Sequence, residues 1–425
     1  MDRRNFLALT ALSSLAACGG DKGTSTTPNA SAASGTGGAS APIPASAPIP
    51  ASVPTAGSLA SQQTDQYIAS LRQTWGAVSP SISLAVLKDG NVVKQAAYGY
   101  RQIDPPLLAD DQTDYLLASV TKQFTAAALM VMVQNGQASV DDYLSQYFTL
   151  PTGDPNWLLI QLHHLLSHTA GLPRYSPMPN VDLQNAGSPE QAMASFTQIE
   201  GPLKVPGAAY LYSDVGYGIL GMVMRQIAGK YPASYPKNTF APSEPPTYNN
   251  ILQTLLFGPQ AANMPSTGID FQEGKSATFA VGYGWSNGSW VVTPAYNRPV
   301  GAGLISSRLS DLAIWERVLL NTTILSEASK QKMWSPTLLN DGTTATYGFG
   351  WELGETMAGG VVIYHDGDAA DAFNSAFYRF VDSGYTVIVL INMQRNDAGY
   401  GGGLPDTIAE QVAMFYSADL AFKQT

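Results

Sequence analysis

Ala118-Ser119-Val120-Thr121-Lys122 opens the stretch from which the fold is read, followed by Gln123 to Val133 and closed by Asn135-Gly136. A glycine just past the last apolar residue ends a helix. Ala126–Val133 is apolar on every side, so this helix is expected to lie in the centre of a domain rather than on its surface. It is too short to cross a membrane. Ser119 then stands at the helix N-terminus, where free N–H groups and the dipole favour negative charge. Lys122 follows one turn later on the same face. A lysine ammonium at the end of a buried helix is costly to desolvate unless something pairs with it. Burial and a neighbouring base fit such an amine to take the Ser119 proton. Ser-x-x-Lys is a serine acylase pattern, and the apolar helix behind it gives the four residues their weight.

Outward from this helix the patterns sort by period. Tyr67, Ile68, Leu71 and Trp75 share a helical face. Ile82–Leu87 and Val92–Tyr98 read as strands joined at Asp89-Gly90, a two-residue hairpin signal. Residues of about 110–270 read as helix and loop. Strand patterns return at Ser289–Thr293, Val361–Tyr364, Phe373–Phe380 and Tyr385–Asn392, and a closing helix is expected near Asp406–Phe422. The expected fold is α+β within the broad α/β class. It has an antiparallel sheet flanked by N- and C-terminal helices, with an inserted, mostly helical lobe.

Composition narrows the partners. The chain has 425 residues, a net charge of −10, four histidines and one cysteine. An acidic surface repels phosphate backbones, which argues against nucleic acid, and a single cysteine excludes an intrachain disulfide or a Cys-based metal site. That cysteine has a context. Residues 1–18 combine Arg3 and Arg4, an apolar run from Phe6 to Ala17, and Cys18. This is a signal-peptide pattern, and Leu15-Ala16-Ala17-Cys18 resembles the bacterial lipobox, with lipid on Cys18 as the expected membrane link. Residues 19–60 are nearly all Gly, Ala, Ser, Thr and Pro, with Ala-Pro-Ile-Pro-Ala-Ser written twice. Such a stretch cannot form a core and reads as a tether. It leaves 61–425 as the folded domain. The expected location is extracytoplasmic, with the outer membrane facing the periplasm favoured by Gly19 after the cysteine.

Several ordered blocks carry a resemblance to a known family: SVTKQFTAAAL, NGQASVDDYL, HHLLSHTAGLP at 163–173, PGAAYLYSDVGYGILG at 206–221, GAGLISSRLSDLAIW at 301–315, YGFGW at 347–351 and YHDG at 364–367. They resemble the β-lactamase-related serine hydrolases, which include class C β-lactamases, D-alanyl-D-alanine carboxypeptidases, D-aminopeptidases and family VIII esterases. The resemblance implies Ser119 as nucleophile, with Lys122 and Tyr212 as its proton-transfer partners. Tyr212-Ser213-Asp214 matches the family's Tyr-x-Asn, and His365-Asp366-Gly367, at the end of the Val361–Tyr364 strand, its Lys-Thr-Gly or His-x-Gly motif. The backbone N–H groups of Ser119 and Asp368 would then form the oxyanion hole, and Gly367 would leave room for substrate against the strand.

Two departures bear on specificity. Asp214 replaces the usual Asn; as a carboxylate it cannot donate to a substrate amide, but it can pair with Lys122. His365 and Asp366, with Asp368 and Asp371 nearby, stand where a substrate carboxylate is often bound. Four carboxylates would repel an anionic substrate end, so neutral esters or amine-bearing amides are expected to be better substrates than β-lactams or D-Ala-D-Ala peptides. No cofactor and no metal is expected. His164 and His168 lack a third ligand, and the Asp366/Asp368/Asp371 spacing lacks the remaining EF-hand positions. Gly284-Trp285-Ser286-Asn287-Gly288 satisfies G-x-S-x-G, but a strand pattern rather than a helix follows it. A cell-wall-peptide binder without catalysis is the rival reading. An intact Ser119, Lys122 and Tyr212 set weighs against it.

Overall fold

A computed structural model describes residues 58–423 apart from 77, 152, 175–200, 237–244, 270–276, 294–299, 370–371 and 395–402. The expected signal segment, Cys18, most of the expected tether and Asp371 lie outside the described residues.

The chain opens with helix α1 (Leu59–Gln73), capped by the Ser58 side chain, which accepts from Ser61 N–H. Strands β1 (Ile82–Lys88) and β2 (Asn91–Tyr98) follow, joined through Asp89 and Gly90, both with positive φ (50° and 74°). That pair of dihedrals makes a hairpin turn whose twist suits the strands it joins. After a long excursion come β3 (Glu352–Glu355), β4 (Val361–Ala369), β5 (Phe373–Phe380) and β6 (Tyr385–Ile391). These six strands form one antiparallel sheet in the order β3-β4-β5-β6-β1-β2.

Both faces of the sheet are covered, which is why β1 and β6 read as nearly unbroken apolar runs. The alternation of side chains still divides them: Ile82, Leu84 and Val86 join one core with Ile68 and Leu71 of α1, whereas Ala85 and Leu87 join the other. The first core is closed by the C-terminal helix, which runs Leu404–Tyr416 and ends before the expected Phe422. The second core holds α2 (Thr121–Gln134), α3 (Asp214–Lys230) and α4 (Leu309–Leu320). Every residue of α2 from Thr121 to Met132 is buried, the apolar run from Ala126 as its pattern requires and the polar first turn with it. Ser289–Val292 pairs with Tyr283–Ser286 in a separate small sheet rather than joining the main one. Among the described residues no helix is long and apolar enough to cross a membrane.

Candidate active site

Ser119 sits in a single 3-10 turn, Ala118–Val120, that runs straight into α2. Ala118 has φ 47°, a left-handed conformation that an alanine holds only under constraint from its surroundings. The constraint is visible. The Leu117 carbonyl just before it accepts from Val120 N–H at 3.2 Å and from Ser375 Oγ at 2.6 Å, while Leu117 N–H donates to Ile305 O at 2.8 Å. Ser119 is partly exposed on this turn, between buried Ala118 and Val120.

Lys122, one turn along, is 0% exposed. Its Nζ donates to Ser119 Oγ at 2.9 Å, Asp214 Oδ1 at 2.6 Å and Ala302 O at 2.9 Å. Three acceptors match the three N–H groups of an ammonium, so the buried charge is both paired and fully bonded. Asp214 is delivered as the first residue of α3, whose cap is Ser213: its Oγ accepts from Gly216 N–H at 3.1 Å and donates to Pro173 O at 2.7 Å. Ala302 belongs to the short helix Val300–Gly303, held against α3 where Gly301 passes Tyr217 O too closely for any Cβ (2.3 Å). The pairing open to an aspartate at 214 is the one adopted.

Tyr212 stands beside this pair and hydrogen-bonds Ser119. Lys122 Nζ lies 4.8 Å from its ring centroid and the Arg174 guanidinium 5.4 Å. Burial, then the neighbouring Asp214, hold the Tyr212 hydroxyl well above the usual phenol range, although the Ser119 bond pulls the other way. The resting side chain is therefore a phenol, a point the sequence left open. Around it His168, Tyr210 and Tyr347 form an aromatic wall, with ring centroids of His168 and Tyr212 4.2 Å apart and those of Tyr210 and Tyr347 5.7 Å apart. The sequence points to none of Tyr210, Tyr347, Arg174 and Ala302, and to His168 only as half of a His164/His168 pair lacking a third ligand. They lie far from Ser119 along the chain, and no spacing or period links them to it.

Strand β4 carries the remaining expected residues, with two corrections. The strand does not stop at Tyr364 but continues through Asp366 and Gly367 to Ala369. The β3 partner reaches only Tyr364, so no strand among the described residues pairs with the far edge of His365–Ala369. Gly367 faces the Ser119 turn: a Cβ there would meet Ser375 Oγ at 2.3 Å and Leu117 O at 2.4 Å. What requires a glycine here is the close approach of the Ser119 turn. His365 is fully buried. Its Nδ1 donates to Asp366 O at 2.6 Å and its Nε2 faces Tyr347 Oη at 3.0 Å. Both nitrogens are engaged, so the ring builds the wall rather than reaching substrate. Burial, with Lys122 nearby, pushes it down to about 3, which keeps it neutral.

The Asp366 side chain keeps 40% of its surface and lies in the field of Lys122 and Arg174. Glu352, His365 and Asp366 bring ligand-type atoms within 4.8 Å of one another. The Nδ1 proton and the Tyr347 bond at Nε2 leave that histidine no free lone pair for a metal. Of the other expected decoys, Ser286 ends a strand at an Asn287-Gly288 turn (φ 51° and 79°) with a strand after it, the wrong context for a nucleophile elbow. His164 Nδ1 accepts from Gln161 N–H at 3.1 Å and serves the cap of a short helix.

An antiparallel sheet against a buried helix that carries Ser119 and Lys122 is the arrangement of an acyl-transferring serine hydrolase scaffold. Residues 65–405 match the Beta-lactamase family, and the chain belongs to that family of serine hydrolases. Penicillin-binding protein 4* of Bacillus subtilis (strain 168) is 26% identical over 315 residues, 72% of this chain and 67% of that protein. Among solved structures, D-amino acid amidase from Ochrobactrum anthropi SV3 superposes with a TM-score of 0.65 at 21% identity, covering 85% of this chain and 98% of that one. EstCE1, described as a hydrolase with promiscuous acyltransferase activity, gives 0.64 at 19% identity, covering 83% and 98%. These structural likenesses speak for the fold.

Proposed function

We propose that the protein hydrolyses small esters or amides through an acyl-enzyme on Ser119, as an esterase or D-amino-acid peptidase. The observation that carries this reading is the partly exposed Ser119 hydroxyl held 2.9 Å from a wholly buried Lys122 amine. A binding module has no use for so costly a desolvated pair.

The chemistry follows from the bonds around Nζ. Asp214 and Ala302 take two N–H groups; the reactive form is the neutral amine, reached when the resting ammonium releases one proton to solvent, and its third position, toward Ser119, is then a lone pair. Ser119 Oγ attacks the substrate carbonyl as its proton passes to Lys122. The backbone N–H groups of Ser119 and Asp368 receive the oxyanion. Tyr212 gives its phenol proton to the departing alcohol or amine and is refilled from Lys122. Water then repeats the sequence in reverse on the acyl-enzyme.

Asp366 argues for the substrate class. Its partly exposed side chain disfavours an anionic substrate end and suits a neutral or ammonium-bearing one. Asp214, occupied by Lys122, does not add to that effect. The amidase of known structure, whose complexes hold L-phenylalanine amide or D-phenylalanine, and the EstCE1 hydrolase suit this class. Measuring kcat/KM for a p-nitrophenyl ester, a D-amino-acid amide and a chromogenic cephalosporin tests it. The ester or amide is expected to be preferred, and a clear preference for the cephalosporin would overturn the assignment in favour of a β-lactamase or D-Ala-D-Ala carboxypeptidase.

A further inference from the structure

His168 is a buried histidine with no part in the proton path just described, yet its contacts converge on one residue. Its backbone is left-handed (φ 58°), and its carbonyl accepts from Leu211 N–H at 2.8 Å. Its Nδ1 accepts from Ser213 N–H at 3.0 Å. These two bonds seize the residues on either side of Tyr212, and the imidazole lies against the Tyr212 ring itself, 4.2 Å between centroids at 35°. The imidazole also meets the rings of Tyr217 and Tyr347, at 5.0 and 4.6 Å between centroids. One residue thus holds the Tyr212 backbone at two points and its ring at a third.

We propose that His168 is the positioning residue for Tyr212, a clasp that holds the phenol where it can reach both Ser119 and the leaving group. The inference rests on the Ser119–Lys122–Tyr212 reading above. It requires a neutral ring whose proton sits on Nε2, because Nδ1 must accept. Burial, with Lys122, His365 and Arg174 nearby, holds His168 well below its ordinary range and keeps it in that form. Asparagine is the informative replacement, since its Oδ1 can stand in for Nδ1 and it tolerates the left-handed backbone. Phenylalanine keeps the ring but offers no acceptor.

The leaving group supplies a readout that loose packing would not move. An alkyl ester needs a proton from Tyr212 as its alcohol departs, whereas p-nitrophenolate departs without one. With the ethyl and p-nitrophenyl esters of one carboxylic acid, His168→Phe is expected to lower kcat/KM, which reports acylation, on the ethyl ester by about 10²-fold, the cost of a misplaced catalytic group. KM should change little, the p-nitrophenyl ester should suffer much less, and His168→Asn should recover most of the loss. In a Tyr212→Phe background, His168→Phe should add almost nothing, because groups acting as a unit are not additive. If His168→Phe does not fold, His168→Ala takes its place with the same expectations. Equal losses on both esters, no rescue by asparagine, or full additivity with Tyr212→Phe would overturn the proposal. A Tyr212→Phe enzyme that retains wild-type turnover would instead sink the reading of the site on which it stands.

Discussion

At the scale of single residues, the site is organised around one buried nitrogen. Lys122 Nζ has Ser119, Asp214 and Ala302 as acceptors, and the Asp214 carboxylate is the only one of the three with a full charge. Removing it leaves a buried ammonium with two neutral acceptors, an arrangement that costs about 3 kcal/mol or more. Asp214→Ala is therefore expected to lose that much in urea unfolding, and Asp214→Asn, which retains an acceptor oxygen, distinctly less. Equal stability of Asp214→Ala and wild type would show that the pair contributes nothing net. Ser119, Lys122 and their helix were legible because a 3.6-residue period and an all-apolar run place them. Tyr212 and Asp214 were legible only through resemblance, since nothing local tells a catalytic tyrosine from a core one. His168 and Tyr347 were not legible as parts of the site, because their meaning lies in contacts between distant loops.

At the scale of elements, the decisive contact is between β4 and the turn carrying Ser119. Ala118 is bent into a left-handed conformation and Gly367 leaves no room for a methyl group between strand and turn. In Gly367→Ala either the strand or the turn must move, and overpacking of this kind costs about 1–3 kcal/mol. The expected result is a folded protein with a modestly lowered melting temperature and a much larger loss of kcat/KM, about 10²-fold, because the displaced atoms belong to the nucleophile. Unchanged turnover would mean that the turn does not depend on the strand for its shape. The hairpin at Asp89-Gly90 and strands β1, β5 and β6 follow their sequence patterns closely, since turn residues and apolar runs are local signals. The extension of β4 through His365-Asp366-Gly367 was not legible. Those polar residues have no strand-like pattern and are drawn into the sheet by pairing with β5.

At the scale of the whole molecule, acids gather beside β4: Glu352 on β3, Asp366 on β4 itself and Asp406 in the C-terminal helix. Burial, with Asp366 beside it, pushes the Glu352 carboxyl up to about 7, and Asp366 and Asp406 are raised as well. Between its ordinary 4.5 and about 7, Glu352 keeps a proton in the folded protein that the unfolded chain has released, so stability falls as pH rises through that window. Thermal unfolding should thus occur at a lower temperature near pH 8 than near pH 5, with the difference reduced in Glu352→Gln. An identical fall in the variant would remove Glu352 as its source.

The most direct measurement treats the protein with a fluorophosphonate and locates the adduct by peptide mass spectrometry. The mechanism requires a single adduct on Ser119, abolished in Ser119→Ala and slowed by at least about 10³-fold in Lys122→Ala, the scale of loss for members of a catalytic unit. Labelling of Ser286 or any other residue, or undiminished labelling of Ser119→Ala, would contradict it.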